Sequence, residues 1–257
     1  MAPKEKINFE GIFLKGILET ARGKSMNLEK DLLTVGLNRF CVQRGCDLFG
    51  VSDLTPARDY LAFQGNPLVM KFPRAISIGM QLNYDIVKQH TPCETRQESL
   101  YWYHCYDVVN PMLNFLAYDA ARWLTDRNFR ALPVPASTPY NMEKLEGIFS
   151  HKLAAHLGGV GWIGKSCLLI TEKFGPRVRL VSVLTDAPLE TGSMLDKKCG
   201  SCQACIEACP VGAFTGMEFQ ATASREARFD ARKCSEYRNN HACGRCVSSC
   251  PIGIRKL

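Results

Sequence analysis

Between residues 199 and 210 the chain reads CGSCQACIEACP, four cysteines spaced Cys-x2-Cys-x2-Cys-x3-Cys with a proline directly after the last. No other stretch restricts the fold as much, because a few residues of backbone must bring four like side chains round shared centres. The stretch is part of an internal repeat. CQACIEACPVGA at 202–213 returns as CGRCVSSCPIGI at 243–254, with the same spacing and the same closing Cys-Pro-x-Gly. Of the 13 cysteines in 257 residues, most crowd into positions 199 to 250. In a small exported chain that density would mean disulfides, but the N-terminal stretch lacks a continuous apolar leader segment, and metal binding is the better reading.

The spacing is the one bacterial ferredoxins use for 4Fe-4S clusters. Three thiolates curl round one cluster, while the longer step directs the fourth, Cys209, to the other; Pro210 then fixes φ and turns the chain away. In the repeat, Cys243, Cys246 and Cys250 match Cys202, Cys205 and Cys209, but the counterpart of Cys199 is Asn240, so Cys234 has to substitute. The expectation is one cluster on Cys199, Cys202, Cys205 and Cys250 and a second on Cys209, Cys234, Cys243 and Cys246. Structural zinc, built mainly from paired Cys-x2-Cys units, does not explain the crossed Cys-Pro ends. The cysteines at 41, 46, 93, 105 and 167 read as packing residues. Clusters with exchanged ligands lie close together and make an electron path. Its terminus is either another protein or an acceptor held by the preceding ~195 residues.

A hydrophobic content of 46% supports a substantial core, and no uncharged apolar run is long enough to span a membrane, so a cytoplasmic protein is expected. The excess of 32 basic over 25 acidic residues is spread along the chain, which reads as solvated surface and not as a nucleic-acid footprint. The pattern predicts a helix over 27–45, capped by Asn27, with Leu28, Leu32, Val35 and Leu37 near one face. It predicts strands in DLFGVSD and RAISIGMQLNY, a long helix over 108–128 with Pro111 near its start, a helix in KLEGIFSHKLAAHLG, and a strand pair formed by SCLLIT and VRLVSVLTD. Strands without regular helical crossovers imply an α+β fold. Composition shifts near residue 190, giving an N-terminal helical segment at 1–26, an α+β domain at 27–190 and a ferredoxin-like double 4Fe-4S domain at 191–257.

HKLAAHLGGVGWIGKSCLLIT, then GPRVRLVSVLTDAPL, then the cysteine array resembles the catalytic core of the epoxyqueuosine reductases and their relatives, the reductive dehalogenases. GCDLFGVSD and FPRAISIGMQLNY resemble that family's N-terminal strands, and the likeness covers about residues 30 to 255. It implies a nitroreductase-like, cobalamin-binding α/β sandwich ahead of the cluster module, with cluster electrons reducing the cobalt of a base-off cobalamin. On that resemblance Gly161, Trp162, Ile163, Gly164 and Lys165 form the loop beside the corrin, with Lys165 reaching a corrin amide or the nucleotide-tail phosphate; standing alone, the same motif would read as core with a solvated lysine. Asn83 and Tyr84 match the family's strand-end Asn-Tyr. Asp107 falls where the family carries its proton donor and would be a buried, protonated carboxyl; its competing reading is the N-cap of a helix starting at Val108. Tyr103, with His104 and Tyr106, is a further polar candidate.

Seven residues follow Cys250, where epoxyqueuosine reductase continues into a helical-repeat extension that engages transfer RNA. The expected function is therefore an iron–sulfur, cobalamin-dependent reductase of unidentified substrate, served by an electron donor such as ferredoxin or flavodoxin. The alternative is an electron-transfer or corrinoid-reducing protein that activates a partner corrinoid protein. An epoxyqueuosine reductase without the extension would show salt-sensitive transfer RNA affinity. A flavin in place of the corrin also stays open.

Overall fold

The structure, a computed structural model, describes residues 29–254 except 65, 90–94, 138–139 and 142. The predicted 1–26 segment, Asn27, Leu28 and Cys93 lie outside the described residues. Helix α1 (29–42) turns Leu33, Leu37, Phe40 and Cys41 inward at helical spacing. Leu32 and Val35, expected on the buried face, are exposed. The face is instead chosen by close approach to a neighbouring helix, where a Cβ on Gly36 would touch the Trp123 ring at 3.4 Å.

Next come β1 (Leu48–Asp53), α2 (Arg58–Gln64), β2 (Arg74–Gln81) and α3 (Tyr84–Lys88). They are followed by α4 (Leu100–Trp102), a π-helical segment (Tyr103–Val109), α5 (Asn110–Thr125) and β3 (Ala131–Val134). The short strands β4 (Tyr140–Asn141) and β5 (Glu146–Gly147) pair together, α6 (His151–Leu157) follows, and β6 (Trp162–Ile163) pairs with β7 (Leu169–Ile170). With β8 (Val178–Thr185) the main sheet is complete, in the order β1-β2-β8-β3 and antiparallel throughout. Ala75 to Met80 are buried without a break, because helices cover both faces of β2. On one face Ile76, Ile78, Val181 and Val183 pack with Leu37, Leu113 and Leu124. On the other, Ala75, Leu184 and Val134 pack with Leu61, Phe149 and Ala154. The α+β expectation holds, with helices on both faces of the sheet.

Three expected elements differ. SCLLIT does not pair with VRLVSVLTD: β7 pairs with β6, and β8 lies between β2 and β3. The helix expected from Lys144 starts only at His151, where the Ser150 hydroxyl accepts from Leu153 N at 3.4 Å; Glu146 and Gly147 are a strand. The long helix begins at Leu100, capped by Ser99, and runs through the π-helical segment into α5. Pro111 explains the wide turn: it has no N–H to offer, and its ring would crowd the carbonyl four residues back, so the helix widens just before it.

The cysteine-rich end holds α7 (Ala204–Glu207), α8 (Ala231–Asn240) and α9 (Arg245–Ser248). The connecting stretch is tied down, with Glu190 N donating to Thr34 Oγ1 at 2.7 Å and Gly192 N to the Val51 carbonyl at 2.8 Å. Val247 is buried in the same core as α5, so the C-terminal end is docked on the sandwich.

Candidate metal centres and the adjoining cleft

The internal repeat is realised in three dimensions. Helices α7 and α9 occupy equivalent places, start after Gln203 and Gly244 with similar φ values of −126° and −133°, and pack against each other. After each Cys-Pro pair the glycine takes a left-handed conformation, Gly212 at φ +58° and Gly253 at φ +72°. This turn returns the chain beneath its own cysteine.

The thiols fall into two electrostatic neighbourhoods. Burial, then Cys199, Cys250 and Cys202, pushes Cys205 up to about 11. Cys250 is raised by burial, with Cys199 and Cys202 adding to it. In the other group burial, then Cys243, Cys234, Cys205 and Cys209, pushes Cys246 up to about 12. Cys234 is also raised by burial and senses Cys243 and Cys209. Cys205 and Cys250 thus lie near Cys199 and Cys202, Cys246 and Cys234 near Cys243 and Cys209, and Cys205 also acts on Cys246, so the two neighbourhoods adjoin. No three described His, Cys, Asp or Glu side chains converge tightly enough to hold a single metal ion. The donor set fits a cationic inorganic core: Cys205 and Cys250 in one neighbourhood, and Cys234 and Cys246 in the other, are pushed up by burial and by neighbouring thiols, and positive charge among them would favour their thiolates.

Arginines, one of them buried, hold the cysteine loops to the sandwich. Arg177, only 3% exposed, donates to the carbonyls of Cys250 at 2.5 Å, Ile252 at 2.7 Å and Ser248 at 3.3 Å. Arg96 donates to the Arg238 carbonyl on α8, and Arg238 in turn to the Tyr106 hydroxyl at 2.8 Å. Tyr106 stacks on Trp102 with centroids 4.1 Å apart. Burial alone would raise the Tyr106 phenol, but the Arg179 and Arg238 guanidiniums bring it below its usual range.

The residues assigned by resemblance to a corrin have other partners. A Cβ on Gly161 would lie 2.3 Å from the Ile170 carbonyl oxygen, and one on Gly164 2.7 Å from Ile170 Cγ1 and 3.1 Å from Cys199 Sγ. These glycines serve the close β6–β7 approach and the cysteine loop, and Trp162 and Ile163 beside them line a pocket of about 310 Å³ with His156, Met194, Lys198 and Phe219. Trp162 and Ile163 are buried, and Trp162 Nε1 has no hydrogen-bond partner among the described residues. Lys165 is buried and donates to the carbonyls of Gly200 at 2.6 Å and Cys202 at 3.3 Å. Asn83 caps α3, its Oδ1 accepting from Asp85 N and Ile86 N, and its own N–H meets His104 Nε2 at 3.0 Å. The Tyr84 ring lies 5.8 Å from the Arg177 guanidinium.

Asp107 satisfies neither expectation. It is exposed and not buried, and it sits inside the continuous helix instead of capping one. Tyr103 is 57% exposed.

A cleft that the sequence reading did not assemble lies between β8, β7, the start of α6 and Arg225 of the cysteine-rich end. One lobe, about 310 Å³, is lined by Tyr60, Phe149, His151, Lys152, Arg179 and Leu180 among others. A second lobe of about 700 Å³ shares Leu145, Glu146 and Arg225 with it and reaches Asp230 and Lys233 at the start of α8. Arg225 lines both, bonded to the Leu145 carbonyl at 3.1 Å and paired with Glu146 at 3.4 Å. His151 lies between Ser182 Oγ at 2.8 Å and the Pro135 carbonyl at 3.0 Å; desolvation brings it down to about 4, so the ring is neutral at physiological pH. Lys152 donates to the Cys167 carbonyl at 2.6 Å, and burial lowers it below the usual lysine range. Both residues stand in HKLAAHLGG, where helical periodicity masks them; the signal available was two polar residues at a helix start beside an apolar strand.

A family described as "4Fe-4S dicluster domain" matches residues 198–254. The epoxyqueuosine reductase of Bacillus anthracis is 30% identical over 122 residues, 41% of this chain and 30% of the relative. The matched segment thus spans less than a third of that protein's length. Among solved structures, an epoxyqueuosine reductase crystallised with an epoxyqueuosine-modified tRNA stem loop superposes with a TM-score of 0.57 at 18% identity, covering 86% of this chain and 65% of that one. A reductive dehalogenase, whose structure suggests a mechanism for B12-dependent dehalogenation, superposes with a TM-score of 0.61 at 20% identity, covering 80% of this chain and 30% of that one. In sequence this chain is similar to epoxyqueuosine reductases over part of their length, in fold it is similar to them and to a reductive dehalogenase, and its residues 198–254 match a 4Fe-4S dicluster domain.

Proposed function

We propose that the chain is an iron–sulfur reductase in which two 4Fe-4S clusters feed electrons towards the cleft between β8, α6 and Arg225. The observation that carries this reading is the gathering of the C-terminal thiols into two adjoining neighbourhoods, in an end of the chain whose Arg225 also lines the cleft. Cys199, Cys202, Cys205 and Cys250 would hold one cluster and Cys209, Cys234, Cys243 and Cys246 the other. A 4Fe-4S cluster supplies one-electron uptake and release. Arg177 fixes the Cys250 turn to the sandwich, and Arg238 fixes α8 to Tyr106. An electron donor of the ferredoxin or flavodoxin class would serve the clusters.

Cobalamin is the second cofactor in this proposal, on the strength of the fold shared with a B12-dependent dehalogenase. Trp162 and Ile163 of the 161–165 loop line a pocket of about 310 Å³ with His156, Met194 and Phe219, and the lobe beside His151, with apolar walls from Phe149, Leu168, Val178 and Leu180, is no larger, so either place would have to open to admit a corrin. Cobalamin supplies a cobalt centre capable of reductive chemistry at low potential. In the cleft Arg179 would offer a charged donor, while both ring nitrogens of the neutral His151 are already engaged by Ser182 and Pro135. The substrate is a molecule small enough to enter the second lobe.

The test is anaerobic reconstitution of the full chain, iron and sulfide analysis, then addition of cobalamin with the visible spectrum recorded. About eight irons and eight sulfides per chain and a stoichiometric base-off spectrum are expected. About four irons, or zinc in their place, overturns the cluster assignment. Full cluster loading with no cobalamin bound moves the chain to an electron-transfer role or to a flavin, and flavin addition decides between those two.

A further inference from the structure

Lys165 and Glu218 place opposite charges on one short loop. The Lys165 ammonium donates to the carbonyls of Gly200 and Cys202, both on the loop that joins Cys199 to Cys202. Its nitrogen is 3.9 Å from Glu218 Oε1, with side-chain exposures of 10% and 25%. Glu218 Oε2 accepts from Cys199 N at 3.3 Å, while Oε1 is buried without a hydrogen-bond partner. The backbone carrying Lys165 runs against the same ligand, as the 3.1 Å distance from a Gly164 Cβ to Cys199 Sγ shows. Lys165 lines neither lobe of the cleft.

We propose that Lys165 and Glu218 are positioning residues that set the reduction potential of the cluster on Cys199, Cys202, Cys205 and Cys250, an inference that rests on the ligand assignment above. A cluster gains negative charge when it takes up an electron. A fixed cation in a poorly solvated site stabilises the reduced form and raises the potential, and a fixed anion lowers it. With both present the effects largely cancel and the loop keeps its shape. Removing one charge leaves the other unopposed. Glu218 also receives the Cys199 N–H, a donor otherwise free to turn towards the sulfur.

The pair gives the test two signs. The full chain, its Lys165→Gln and Glu218→Gln variants and the double variant are reconstituted, checked for iron, and titrated electrochemically with the reduced clusters followed by electron paramagnetic resonance. Lys165→Gln is expected to lower one of the two waves and Glu218→Gln to raise the same wave. Each shift should amount to about a tenfold change in the reduced-to-oxidised ratio at fixed applied potential, ~59 mV for a one-electron couple. The double variant should fall between them, and the second wave should stay in place. Shifts of the same sign, equal movement of both waves, or no movement at full iron content overturns the proposal, as does a Lys165→Gln variant that loses cobalamin affinity with both potentials unchanged. If Lys165→Gln fails to load, Glu218→Gln alone decides by whether its wave rises. Wild-type protein with only about four irons points instead to failure of the ligand assignment, and the inference falls with it.

Discussion

A methyl group at Gly164 would press on Ile170 Cγ1 at 2.7 Å and on Cys199 Sγ at 3.1 Å, whereas one at Gly200 would meet nothing within 4 Å. The two glycines are next to the same cysteine but answer to different physics. Gly164→Ala overpacks, which should cost about 1–3 kcal/mol and reduce iron content by displacing the Cys199 loop. Gly200, at φ +59°, only needs a left-handed backbone, so Gly200→Ala should cost about 1 kcal/mol and leave iron content normal. Thermal denaturation with iron analysis separates the two outcomes. His151 gives a pH effect of its own. Its folded value of about 4 lies below the ordinary 6.5, so as pH falls through 6.5 the unfolded chain takes up the proton first. Stability is therefore expected to drop between pH 6.5 and 4 and to level off below, and His151→Gln should flatten part of that slope in melting curves. At this scale the cysteines were legible because thiol spacing is local. His151, Arg179 and Arg225 were not, since they meet only through the sheet register and a docked loop more than forty residues away.

At the scale of elements, Asn83 shows how a motif match and a structural role can coincide. Its Oδ1 satisfies two N–H groups at the start of α3, as an N-cap does. Asn83→Ala is expected to cost about 1 kcal/mol, and Asn83→Asp, which keeps the acceptor, close to nothing. If capping is its whole role, neither should alter the visible spectrum of cobalamin-loaded protein; a spectral change in both variants would support a corrin role beside it. The strands β1 and β2 were legible from their apolar content, and β2 reads as buried on both faces once α1 and α5 on one side and α6 on the other are seen to cover it. Helix starts were harder. Pro111 looked like a first-turn proline, and the helix instead passes through it by widening to a π turn, which places Asp107 on an exposed helical surface. The sequence pattern has no separate signature for that widening, because the apolar positions before it, Tyr101 and Cys105, keep helical spacing.

For the whole molecule, the composition break near residue 190 marks where the cysteine loops begin but not where the packing ends. Val247 shares the core of α1 and α5, Arg177 reaches three carbonyls around Cys250, and a Cβ on Gly244 would strike the Tyr101 ring at 2.6 Å. Inorganic core and apolar core should therefore lose order together. Arg177→Ala removes charged donors from three carbonyls and opens a void, so a loss of about 3 kcal/mol or more is expected, together with reduced iron content. Arg177→Lys should recover little of it, since an ammonium cannot span carbonyls that a planar guanidinium reaches at once. Following cluster absorbance and tryptophan fluorescence during one anaerobic melt provides the check. Coincident transitions, both shifted down in Arg177→Ala, fit a single cooperative body. Loss of cluster absorbance well below an unchanged fluorescence transition would mean that the cysteine-rich end unfolds by itself and that Arg177 only caps a turn.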